Sequence, residues 1–130
     1  MSPPNTLGPV EERNLDRTKH WEWTWNNAVD RMVDECYAES CEVMDMFRNR
    51  TFRGRSELRA IEHQMLAADS TRRMKITRMV ASGDVVAIEA DALWKNGTVT
   101  AKTCVVLAYD ADGMIVSDHS YGGDPIGAAR

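Results

Sequence analysis

The sequence predicts an α+β domain: a cone-shaped, curved antiparallel β-sheet wrapped around N-terminal helices, with an internal pocket. Two observations carry this. Apolar residues recur at helical spacing up to about Tyr37 and again from about Glu57 to Ala67. After Asp69-Ser70-Thr71 the period changes, and four segments read as strands joined by tight turn signals.

In chain order, residues 1 to about 10 carry three prolines and a glycine and read as a flexible leader. Glu11 begins a helix. Leu15, Trp21, Trp25, Val29, Met32, Val33 and Cys36 recur mostly at helical spacing. Asn26-Asn27 interrupts the pattern, because Asn is a weak helix former, so a second helix should run from about Ala28 to Tyr37. Trp21 and Trp25 lie one turn apart and share a face, to cover the core or roof a pocket. Trp23 points elsewhere, to the surface or an oligomer contact.

Glu42 to Phe47 reads as a short strand. Gly54 closes the loop after it, and Ser56 is a candidate N-cap for a third helix over about Glu57–Ala67, with Leu58, Ile61, Met65 and Leu66 on one face. His63 lies off that face and should be exposed. The four strands are Arg73–Ala81, Val85–Trp94, Thr98–Tyr109 and Met114–Tyr121, an antiparallel meander. One domain over residues 11–125 and a loose tail at 126–130 complete the organisation. A sheet of this size must cover one face, and the helices can do so while leaving the open end of the cone as a pocket.

Composition narrows the class. With 130 residues the chain can bury a core, and a net charge of -4 argues against a nucleic-acid partner. Basic residues cluster at Arg48, Arg50, Arg53 and Arg55, and again at Arg72, Arg73, Lys75 and Arg78. Solvated loops and strand edges are the simplest account of both clusters. Three cysteines without metal-ligand spacing point to buried thiols in a reduced, cytoplasmic setting, with no metal and no cofactor implied. There is no signal-peptide pattern and no apolar run of membrane-spanning length.

The candidate chemistry begins at Asp45, between Met44 and Met46 and next to Phe47. A carboxylate on a strand among large apolar side chains is costly to desolvate and needs a partner, water or a catalytic role. On the second meander strand, alternation puts Glu89, Asp91 and Leu93 on one face and Ile88, Ala90 and Ala92 on the other. Asp118-His119-Ser120 is not a catalytic triad, because neighbours on a strand alternate faces. Either Asp118 and Ser120 face the pocket, or His119 and Tyr121 do.

The order of elements and several motifs resemble the SnoaL-like branch of the nuclear transport factor 2-like superfamily, over about Leu15 to Pro125. Tyr37-Ala38-Glu39-Ser40 looks like the family's aromatic-Ala-acid-acid helix end. Gly54 matches the glycine before the third helix, Asp112-Gly113-Met114-Ile115 the turn into the last strand, and Tyr121 with Asp124 that strand's ending. By family position, Glu89 and Asp91 point into the cone, where two close carboxylates would raise at least one pKa. Laid on ketosteroid isomerase, Asp45 falls at the proton-shuttling carboxylate, Trp21 near the oxyanion-hole tyrosine and Val105 near the protonated aspartic acid. Laid on limonene epoxide hydrolase, Asp91 matches the acid of its Arg-x-Asp, Glu89 replaces the arginine, and the last-strand carboxylate falls near Ser120.

Together these readings give a small-molecule pocket protein, expected to be a cofactor-free acid/base enzyme of isomerase, cyclase or hydrolase type on an apolar, polyketide- or steroid-like substrate. Asp45 would be the main base, with Asp91, Glu89 or His119 as partner. Trp21, Trp25, Val43 and Phe47 would line the pocket from one side. Leu93, Val105, Asp118, Ser120 and Tyr121 would line it from the meander. The alternatives are a non-catalytic ligand-binding module and a dimeric scaffold. The resemblance and an exposed sheet face imply a homodimer.

Overall fold

The computed structural model describes residues 7–122. Three helices pack on one six-stranded sheet. Helices α1 (Pro9–Asn27) and α2 (Val29–Cys36) lead into β1 (Tyr37–Asp45) and β2 (Arg50–Arg53). Helix α3 (Gly54–Ala68) precedes β3 (Arg73–Ser82), β4 (Val85–Trp94), β5 (Val99–Tyr109) and β6 (Ile115–Tyr121). The sheet order is β2-β1-β6-β5-β4-β3. The expected meander β3–β6 is antiparallel throughout, whereas β1 joins β6 in parallel, so the sheet is mixed. The arginine-rich segment after Asp45 is not all loop, since Arg50–Arg53 pairs with β1 as an edge strand.

Local chemistry explains the element ends. Pro9 opens α1, and the Gly8 N–H donates to Glu11 Oε1 at 2.9 Å, so the helix starts before Glu11. That corrects the leader's boundary; residues 1–6 and the tail lie outside the described residues. The α1–α2 break falls at Ala28, whose backbone (φ -158°, ψ 73°) is not helical. Ser56 lies inside α3; the chain enters that helix at Arg53, whose N–H donates to Glu57 Oε1 at 2.9 Å. Gly54 has φ +77°, and a Cβ there would stand 3.4 Å from the Glu39 carbonyl oxygen, so glycine fits this reversal.

Helix α1 fixes both ends of the meander. Its Arg13 donates to the carbonyls of Ala111 (2.6 Å) and Asp110 (3.0 Å), and Arg17 to that of Gly113 (2.9 Å), tying down the β5–β6 turn. At the other edge, Asn26 exchanges two 2.8 Å hydrogen bonds with the Met74 backbone, and Glu22 accepts from the Ile76 N–H at 2.6 Å. Backbone groups that an edge strand would leave open are thus capped by a helix. The core lies between the helices and the inner sheet face: Met32, Val33, Leu58, Val86, Ile88, Leu107 and Ile115 are fully buried. Cys36 and Cys41 are buried and Cys104 half-buried, all as free thiols. Trp23 and His63 are exposed, as expected, under Arg31 and beside Asp30 respectively.

Candidate functional site

The cone holds a cavity of about 480 Å³, open at one end. Its floor is a hydrogen-bonded chain. Trp21 Nε1–H donates to the Tyr37 hydroxyl (3.0 Å), which donates to Asp118 Oδ2 (2.6 Å). The Ser120 hydroxyl donates to Asp118 Oδ1 at 2.9 Å. Three elements converge here: α1 supplies the indole, the α2–β1 junction the phenol, and β6 the carboxylate. The parallel β1–β6 register, with Val43 beside Asp118 and Asp45 beside Ser120, sets all four on the cavity wall.

Asp118 is 3% exposed. Burial pushes its pKa up to about 6; the Tyr37 and Ser120 bonds pull against this, and the charge of Glu62 adds to it. The Tyr37 phenol is held well above its usual range, first by burial and then by Asp118, so it stays a donor.

Asp118 should therefore act on stability in the opposite sense to an ordinary carboxylate. Its pKa rises from 3.8 to about 6 on folding, so the folded state holds the proton between those values. Its stabilising contribution is full below pH ~4 and is lost as pH rises through about 6. A displacement of about two pH units corresponds to about 3 kcal/mol. Denaturant titrations of the wild type and Asp118→Asn from pH 4 to 7.5 should show the variant gaining relative stability with pH; parallel curves would refute this.

A second buried pair lies beside the floor. Arg72, 1% exposed, donates from Nη2 to Glu62 Oε2 at 2.5 Å, and its guanidinium carbon sits 3.8 Å from the centroid of the Trp25 ring. Arg72 Nε and Nη1 have no hydrogen-bond partner among the described residues. Glu62 and Trp25 face the cavity. Sequence reasoning does not point to Glu62 or Arg72 as a site residue. The signal for Glu62 was available, since it follows Leu58 by four residues and so shares the apolar face of α3.

Asp45 lies in the cavity wall near the mouth. Its Oδ1 accepts from the backbone N–H groups of Phe47 (3.1 Å) and Arg48 (3.0 Å), and its Oδ2 from the Arg48 guanidinium (3.1 Å). Burial pulls its pKa upward, but these donors outweigh it and hold the carboxyl below its usual value. The apolar neighbours that made it look anomalous are partly outside, since Met46 and Phe47 are exposed.

Several expected placements are corrected. On β4 the inward residues are Val86, Ile88 and Ala90, all buried, followed by Ala92 and Trp94 in the cavity wall. Glu89, Asp91 and Leu93 therefore point to the outer face, where Asp91 meets Lys102 (2.5 Å) and Glu89 meets Arg78 (3.6 Å). Apolar burial sets the strand's facing, and the two carboxylates stay in water. On β6, Asp118 and Ser120 take the cavity face, which leaves His119 and Tyr121 on the other, with Tyr121 47% exposed. Phe47 is 53% exposed and outside the cavity wall. Trp21, Trp25, Val43 and Val105 do line it. A Tyr–Asp pair is thus present in the cone, formed by Tyr37 and Asp118 instead of at the Trp21 and Val105 positions.

The family model of the SnoaL-like domain matches residues 18–118. No curated protein matches the chain. Among similar solved structures is a candidate SnoaL-like polyketide cyclase from Jannaschia sp. CCS1, at 13% identity and TM-score 0.78 over 91% of this chain and 90% of that one. An LEH-like epoxide hydrolase from M. tuberculosis has 19% identity and TM-score 0.74, covering 88% and 86%. A protein of ketosteroid isomerase-like fold from Catenulispora acidiphila, in complex with trimethylamine, has 19% identity and TM-score 0.72, covering 82% and 84%. At these identities the structures establish the α+β fold that the sequence predicts, one shared by proteins described as isomerases, cyclases and hydrolases. The chain belongs to the SnoaL-like domain family.

Proposed function

We propose that this protein is an acid/base enzyme acting on an apolar small molecule of polyketide or steroid kind, with Asp118 as the group that moves the proton. The observation that carries this reading is a fully buried carboxylate, its pKa near 6, on the floor of a largely apolar cavity and held by Tyr37 and Ser120. A carboxylate so placed sits close to the working pH of a general base. Above pH ~6 it takes a proton from a carbon next to a carbonyl, or from a water attacking a strained ring. The neutral acid that results is the form burial favours, and it returns the proton to another atom of the same substrate. Asp45 stays ionised at the wall and supplies the contrasting environment that separates two carboxyl roles.

The test is turnover of a β,γ-unsaturated cyclic ketone, an aryl β-ketoester and a cyclic epoxide, with deuterium incorporation followed in D2O. One class should be converted, with kcat/KM rising with pH through an apparent pKa of about 6. Absence of conversion and of deuterium uptake, in a protein that binds apolar probes, would replace this reading with a non-catalytic binding module.

A further inference from the structure

Two arginines beside Asp45 line the cavity, Arg48 and Arg50. Arg48 meets Asp45 at 3.1 Å. Arg50 is different. In the β1–β2 ladder it stands directly opposite Asp45, close enough for an ion pair. Yet Asp45 is occupied by Arg48 and two turn amides, and among the described residues Arg50 meets no carboxylate. Its guanidinium carbon lies 5.1 Å from the centroid of the Phe52 ring, two residues along the same strand face. Phe52 and Arg50 both line the cavity, so this wall runs from an aromatic ring to a cation. Two strand spacings separate Arg50 from Ser120, roughly 10 Å between Cα atoms, with Asp118 one rung further in.

From this gradient we infer that the cavity takes an apolar molecule bearing one anionic group, an organic carboxylate in its common form. The apolar body lies against Phe52 and the tryptophans, and Arg50 holds the anion at the mouth. This deepens the proposed function by naming the substrate class, and it also accounts for one member of the arginine cluster that reads from sequence as solvated surface. An arginine fits the task because its planar fork donates two parallel hydrogen bonds to a carboxylate while its flat face stays on the ring.

A matched pair of fluorescent probes tests this without any need for turnover. 1-Anilinonaphthalene-8-sulfonate and N-phenyl-1-naphthylamine share one skeleton and differ by the anionic group. The wild type should bind the anion roughly five- to tenfold more tightly, as one charge-assisted contact at an exposed mouth allows, with the margin shrinking as salt rises. Arg50→Gln should erase that margin and leave the neutral probe's Kd unchanged. Arg78→Gln removes the same charge far from the cavity and should keep the margin. Decanoate should displace the anionic probe from the wild type more effectively than decanol. Equal Kd values in the wild type, or a preference that survives Arg50→Gln, would overturn the inference. If neither probe binds, the cavity reading falls with it. A preference as described in a protein without turnover leaves the inference standing and removes only the enzyme reading.

Discussion

Asp118→Asn should lower kcat/KM on whichever substrate class is converted by roughly 10²- to 10⁴-fold, the usual contribution of a positioned general base. Asparagine keeps the shape and can still accept from Tyr37, so the floor stays assembled and the loss falls on the chemical step. Asp45→Asn should cost less than about tenfold, because a carboxyl held below its usual pKa by Arg48 and two amides is a weak base at neutral pH. The two variants compared at pH 7.5 decide between the carboxylates. Loss of activity in Asp45→Asn with turnover retained in Asp118→Asn would give the role to Asp45.

The largest stability effect is expected at Arg72. Arg72→Met fills similar volume but leaves Glu62 without its cation in a wall where it is 10% exposed. Breaking a buried pair from one side typically costs about 3–5 kcal/mol, because the remaining charge is stranded. For a domain of this size that lowers Tm by roughly 10–20 °C. The double variant Glu62→Gln, Arg72→Met should recover most of the loss, since replacing both members of such a pair is often close to neutral. Calorimetry on the three proteins checks this; a single variant within about 1 kcal/mol of wild type would mean that the pair does not stabilise the fold.

Much of the architecture is legible in the sequence because its signals are local. The period change after Thr71 and the Asn96-Gly97 turn place β4, β5 and β6 to within a residue at each end. The pairing of β1 with β6 is invisible to such reasoning, because a strand's own alternation does not name its partner. That pairing brings Tyr37 to Asp118, so the floor of the site is illegible for the same reason. Asp118 is identifiable as one of two options on β6 and Asp45 as a wall residue, but Glu89 and Asp91 are misplaced. There the alternation of Ile88, Ala90 and Ala92 against the carboxylates already favours apolar side chains inside; the family position points the other way, and burial energetics wins. Arg72 is lost among neighbouring basic residues, because charge in a cluster reads as solvated surface while one member lies beneath Trp25.

The parallel β1–β6 contact has a kinetic side. The meander β3–β6 is built from neighbouring hairpins, whereas the Tyr37–Asp118 hydrogen bond joins residues 81 apart in sequence. Closing so long a loop is entropically disfavoured until other contacts are in place, so local hairpins are expected to form before β1 docks. Before that docking the Tyr37 partner and the burial it brings are absent, and Asp118 is expected to titrate closer to an ordinary carboxylate. The shifted proton affinity on which the proposed chemistry depends is thus expected only once β1 has docked on β6.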